Sequence, residues 1–217
     1  MEISSLINRL SSNINANVSN NEYFSTLASI LNKEPYYISL TWNDSLCQLN
    51  FNPKKSDFSY PEVRQSYGVI FERNNNIPIV YSYDSIVEFN EFRREKIETN
   101  WDEYQVEPII DGAVIRLYNY NGNWYKSTLR SINADSIKWN AYRKSFSQLF
   151  DEAAMEANFD YSKLDRDICY TFIICHKENQ MIINYETPTI HLISATKYNK
   201  SSNKFDYLDV STLGIVN

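Results

Sequence analysis

The stretch "VEPIIDGAVIRLYNYNGNWYKSTLR", residues 106–130, concentrates the groups best suited to phosphate chemistry. It carries the pair Asp111-Gly112, the cations Arg116, Lys126 and Arg130, and the hydroxyl of Thr128. The period of two along a strand puts Lys126, Thr128 and Arg130 on one face, where ammonium, hydroxyl and guanidinium donors could meet phosphate oxygens together. Basic residues continue as Lys138, Arg143 and Lys144, interleaved with Trp124, Tyr125, Trp139 and Tyr142. Cations that pair with phosphates, beside rings that stack on bases, form the usual sequence-tolerant surface for nucleic acid. The plainer alternative is a solvated β-face whose aromatic residues turn into the core.

Other chemistries find little support. His176 and His191 have no Cys or carboxylate partners at metal-ligand spacing, so they read as satisfied surface or edge histidines and no metal site is expected. There is no GxSxG, and a chain with 4 Gly offers no glycine-rich phosphate loop. The acidic run "NWDEYQVE" at 100–107 reads as a solvated loop. Cys169 and Cys175 fall in one expected strand, roughly 20 Å apart, so with Cys47 they read as free buried thiols. A net charge of −6 argues against non-specific coating of nucleic acid, which needs many cations to release counterions. No window approaches the ~18 apolar residues of a membrane helix, and the N-terminus lacks an apolar signal segment. The expectation is therefore no membrane and a cytoplasmic location, in the host cytoplasm or virion if the chain is viral. The sequons at Asn17, Asn43 and Asn199 would then go unused.

Periodicity supplies the elements that must hold these groups. Apolar residues at helical spacing predict helices over 2–14 and from the Asn-rich break at 17–21 to Leu31. The period then turns to two. Strands are expected at "YYISLTW" and "CQLNF", near 67–73 and 77–83, and from 104 to 130 with a hairpin turn at Asn121-Gly122. "SIVEFNEFRREKI" and "RKSFSQLFDEAAMEA" read as helices. Strands near 168–175, 180–185 and 189–196 follow, and "YLDVSTLGIV" as a last one. The fold class is α+β, with mostly antiparallel sheets and flanking helices. Residues 1–34 form an N-terminal helical appendage to a domain over 35–217. The two N-terminal helices pack on that domain, dock on another protein or carry a weak targeting signal.

Three stretches, in order over residues 61–195, resemble the nucleotidyltransferase domain of phage-type RNA ligases, relatives of DNA ligases and mRNA capping enzymes. "PEVRQSYGVIFERNNNIPIVYSYDSIVEFNE" (61–91) is similar to the upstream "ARGIIF…V..PF.KFFN..E" segment through Gly68, Ile70, Phe71, Phe89, Asn90 and Glu91. The opening stretch looks like "EKxDGSLI…NGxWxxATRGSF" through Asp111, Gly112, Ile115, Asn121, Gly122, Trp124 and Thr128. "YTFIICHKENQMIINYETPTIHLISA" (170–195) is similar to "YTFxFELxxPxNRIVxxY…LxLLGxR" through Tyr170, Thr171, Phe172, Asn179, Ile182, Tyr185 and Leu192. The resemblance implies the ligase-like pair of sheets. It also implies a nucleotide cleft lined by Asp111, Gly112, Arg116, Lys126, Thr128 and Arg130.

Departures fall on the reactive positions. The lysine that takes the nucleotide in the family corresponds to Ile109, and the glutamate that helps hold the nucleotide corresponds to Ile173. Tyr67, Lys177 and Gln180 stand where the family has arginine, proline and arginine, and Leu129-Arg130 stands for its Arg-Gly pair. The later "EGxV" and "KxK" strands are not found before Asn217, which suits either a short natural form or last motifs in a longer chain. Isoleucine has no lone pair with which to attack an α-phosphate. The reading is thus a degenerate, non-catalytic RNA-ligase-like protein that binds nucleotide, RNA or another protein. The alternative is an active ligase with a displaced lysine, using ATP and Mg2+. A further alternative is an interaction module working through the N-terminal helices.

Overall fold

Ile3, Leu6 and Ile7 recur at the spacing of one helical face, and in the computed structural model they lie on helix α1 (Glu2–Ser11), buried. The structure describes residues 1–14, 18–85, 91–104, 106, 108–139, 143–179 and 182–215. Helix α2 (Asn20–Leu31) starts where the Ser19 hydroxyl accepts the Glu22 N–H, and it buries Phe24, Leu27 and Leu31. Both helices spend their apolar faces on one core shared with Leu49, Phe51, Val63 and Phe71. That core includes Val63 on the short helix α3 (Pro61–Gln65).

The first sheet has the order β1-β2-β3-β4: β1 (Ile38–Trp42), β2 (Leu46–Phe51), β3 (Ile70–Glu72) and β4 (Pro78–Val80), all antiparallel. The second has the order β6-β5-β7-β8-β9, also antiparallel: β5 (Ala113–Tyr120), β6 (Asn123–Thr128), β7 (Ile168–Cys175), β8 (Thr189–Asn199) and β9 (Lys204–Tyr207). Asn121 and Gly122, both with positive φ, close the β5–β6 hairpin as their types demand. Helix α5 (Phe146–Glu156) opens on a capping box, Ser145 with Gln148, and packs Leu149, Phe150 and Ala153 against Ile115, Leu117 and Phe172. A small inner cluster of Leu46, Ile70, Val80, Tyr118 and Cys169 joins the sheets. The layers therefore run from α1 and α2, through the two sheets, to α5. This is an α+β fold of two antiparallel sheets and a few helices.

Several expected elements change. No strand occupies described residues between 104 and 112: Trp101–Glu103 is a 3-10 turn and β5 begins only at Ala113. Pro108, which has no N–H to give a ladder, sits in that segment. The strand expected near 180–185 is absent over 182–185, and β7 pairs directly with β8. The last strand is Lys204–Tyr207, with Val210–Thr212 a 3-10 turn. Helix α4 (Glu91–Thr99) covers the second half of its expected range, while Phe89 and Asn90 lie outside the described residues, as do Glu107, Tyr142 and Gln180. All three cysteines are free and buried, and burial pushes the Cys169 thiol up to about 11 and the Cys47 thiol up to about 12. Among the described residues no helix is long and apolar enough to cross a membrane.

Candidate functional site

Ile109 lies on the approach to β5, with 98% of its surface exposed. Two residues on, the Asp111 carboxylate is already engaged. Its Oδ2 accepts the backbone N–H groups of Ile182 (2.8 Å) and Ile183 (2.7 Å), and its carbonyl accepts the Cys175 Sγ–H at 3.6 Å. Gly112 is required by contact rather than by backbone conformation. A Cβ there would sit 2.5 Å from both the Ile174 carbonyl oxygen and Ile173 Cγ2. In this chain Asp111-Gly112 thus clasps the 182–183 segment and the start of β5 onto β7. Gly112→Ala is expected to destabilise the fold by about 1–3 kcal/mol, the usual cost of forcing atoms into filled space, read as a lower urea midpoint at unchanged slope.

The remaining residues expected to bind nucleotide separate. Arg116 is fully buried between the sheets, where its guanidinium donates to the carbonyls of Gly68 and, at 2.6 Å, of Thr128. Gln48 Nε2 reinforces the same join, donating to Thr128 O at 2.9 Å and Gly68 O at 3.4 Å. Gly68, at φ +76°, leaves room for it, since a Cβ there would stand 2.7 Å from Leu129 O. Burial lowers the Arg116 pKa, and no carboxylate among the described residues pairs with it. Lys126 turns to the other face of the sheet, 2.5 Å from Asp151 of α5 and over the Phe150 ring.

Lys144 and Arg143 belong to a second clasp. Lys144 bridges Glu152 (2.7 Å) and Glu178 (3.1 Å), and Arg143 donates to the Glu178 carbonyl. The Lys144 ammonium holds both carboxyls below the ordinary glutamate range. His176 corrects the expectation of a surface histidine: it is fully buried. Its Nδ1 accepts the Glu178 N–H at 3.1 Å, which leaves the proton on Nε2 facing Glu152 at 3.2 Å. His191 is exposed beside Thr189.

What the fold does assemble is a groove of about 370 Å³ at the Val114 end of β5. Thr128, Arg130, Lys138 and Trp139 line it, over an apolar floor that includes Val114 and Leu129. Arg130, Lys138 and Trp139 are exposed. Arg130 lies past the end of β6 and rests on Phe51, with Nη1 3.4 Å from its carbonyl oxygen. The segment carrying Lys138 and Trp139 is fixed by a bridge from Lys138 to Ser145 and by the Phe146 N–H to Ile137 O bond at 2.9 Å. Sequence periodicity turned Phe146 inward on its helix and did not single out Val114, Leu129 and Ile137. They come together because residues 131–139 return along the strand end, where Lys138 bridges to Ser145, and no local pattern signals that. A ring, two cations and a hydroxyl around an apolar floor suit a base with an attached phosphate. They do not suit Mg2+. Among the described residues no carboxylate lines the groove and no three His, Cys, Asp or Glu side chains are placed to hold a metal ion, and the Asp111 oxygen is committed to backbone donors.

No family model matches the chain. Over 147 residues it is 26% identical to an immediate-early protein ICP-46 homolog of Invertebrate iridescent virus 3, covering 63% of this chain and 33% of that protein. Over 176 residues it is 24% identical to a protein of Autographa californica nuclear polyhedrosis virus, named provisionally as a bifunctional polynucleotide kinase/RNA ligase, covering 74% of this chain and 25% of that protein. The chain therefore spans a third or less of the viral relatives it matches. Its kinship is distant, and runs to viral proteins of which one carries a ligase name.

Proposed function

We propose that this chain is an RNA-ligase-like protein of nucleotidyltransferase fold, of viral origin, that binds nucleotide or RNA in the Thr128–Trp139 groove and is not itself nucleotidylated. The observation that carries it is Ile109, an exposed aliphatic side chain two residues before Asp111, where a nucleotidylated enzyme needs an amine. The distant match to the ligase-named viral protein supports the ancestry. Lys126 and Lys144 do not replace the amine, because each is held by carboxylates of α5.

A second reading rests on Lys138, which lines the groove and would serve as a displaced nucleophile in an ATP-dependent ligase. A docking role for α1 and α2 would have to use their polar outer faces, since their apolar faces are turned inward. The protein is incubated with α-labelled ATP or GTP and a divalent metal, then denatured. No retained label, with a rise in Tm on adding nucleotide, is the expected result. Stable label lost in Lys138→Ala transfers the role to that lysine and ends the non-catalytic reading.

A further inference from the structure

We propose that a second cavity, of about 690 Å³ at the far end of β5, binds a phosphate-bearing mononucleotide unit, either free or at the end of an RNA strand. It opens between β4, the β5–β6 turn, the entry to β7 and the end of β8. Along β5 it lies roughly 20 Å from the Val114 groove, so the two are separate sites. Its volume falls in the range of about 300–1,000 Å³ that holds small ligands.

The lining is polarised. Arg166, Lys197 and Lys200 come from the β7 and β8 side together with Asp167, which pairs with Lys197, and Glu72 comes from β3 opposite. Lys197 is already neutralised by Asp165 (3.3 Å) and Asp167 (3.1 Å). Arg166 and Lys200 are exposed, and neither has an ion-pair partner among the described residues. They supply the anion-binding end. At the other end Tyr120 donates its hydroxyl to Glu72 Oε1 at 3.2 Å, which fixes a ring at the wall for a base to stack upon. Glu72 adds acceptor oxygens for a base amine or ribose hydroxyls. Bare phosphate would use only the cations, and an acidic peptide would meet the Glu72 carboxylate. A ligand that is anionic at one end and rich in aromatic surface and donors at the other uses the whole cavity.

Titration of the full chain with 5′-AMP, adenosine and short oligoribonucleotides tests the site, using Arg130→Ala/Trp139→Ala to silence the groove. In that background 5′-AMP is expected to bind and adenosine to bind at least tenfold more weakly. Adding Arg166→Glu/Lys200→Glu, two exposed positions that leave the core intact, is expected to cut 5′-AMP affinity at least tenfold. Preference for a 5′-phosphorylated over a 5′-hydroxyl oligonucleotide assigns the site to an RNA end; binding of 5′-AMP without any oligonucleotide assigns it to free nucleotide. The proposal is overturned if the groove-silenced protein does not bind 5′-AMP, if adenosine binds as well, or if the charge reversals leave affinity within twofold. None of these outcomes depends on whether the first groove binds nucleotide.

Discussion

Arg116→Ala is expected to destabilise the protein by about 3–5 kcal/mol, a large share of the roughly 5–15 kcal/mol that holds a typical domain folded. The side chain crosses the space between the sheets and gives charged hydrogen bonds to the Gly68 and Thr128 carbonyls. Each such bond contributes about 1.5–3 kcal/mol, and truncation also leaves a void where a long side chain was fully enclosed. Gln48 keeps some hold on both carbonyls, so the loss stays below the simple sum. In a scanning melt the drop corresponds to roughly 6–20 °C for a chain of this size. Lysine should not rescue, because one ammonium does not reproduce the planar fork that spans both acceptors. Arg116→Met, which keeps the volume, should lie between. Where the methionine variant folds, its affinity for ATP should match the parent. A variant of parental stability that has lost only nucleotide affinity would return Arg116 to the binding site.

In the groove, Arg130→Ala and Trp139→Ala should each weaken ATP binding about tenfold, and together on the order of a hundredfold. A charged hydrogen bond and a stacked ring each contribute roughly 1–3 kcal/mol, and about 1.4 kcal/mol is a factor of ten. The effects should add, because the guanidinium would hold the phosphate end and the indole the base. Stability should barely move. Trp139 is exposed, and Arg130 gives up little more than a 3.4 Å bond to Phe51 O and its place over the Phe51 ring. Calorimetric titration of each variant beside a denaturation curve separates the two effects. Parental affinity in the double variant would remove the groove from the functional reading. To keep the second cavity out of the measurement, the same titrations are made in the Arg166→Glu/Lys200→Glu background.

Local signals announced most elements correctly, and the failures share a cause. The α1 and α2 faces, the Asn121-Gly122 hairpin and the Ser145–Gln148 cap are determined within a few residues, so sequence reading finds them. Arg116 was expected at a nucleotide cleft because the resemblance placed it there, and no local pattern shows what lies across from it. Here β5 is covered on both sides, and the guanidinium finds carbonyls instead of water. The apolar run around Ile182 and Ile183 looked like a strand by composition. It stands exposed, tied instead by the distant Asp111 carboxylate. Of the residues expected to bind, Thr128, Arg130, Lys138 and Trp139 do share a groove, yet its apolar floor depends on the return of 131–139. Lys126 and Lys144 serve α5 because carboxylates on that helix, invisible to strand parity, reach them first.

The sealed sulfurs have a practical corollary. Alkylating dyes attack thiolate at an accessible surface, and Cys47 and Cys169 offer neither while the protein is folded. Cys175 is likewise enclosed, with its Sγ directed at the Asp111 carbonyl. A fluorophore could therefore be attached to one cysteine introduced at Ser136 or Ser201, exposed neighbours of the two openings, without stripping out the native three, so that occupancy of either opening is followed with its binding residues intact.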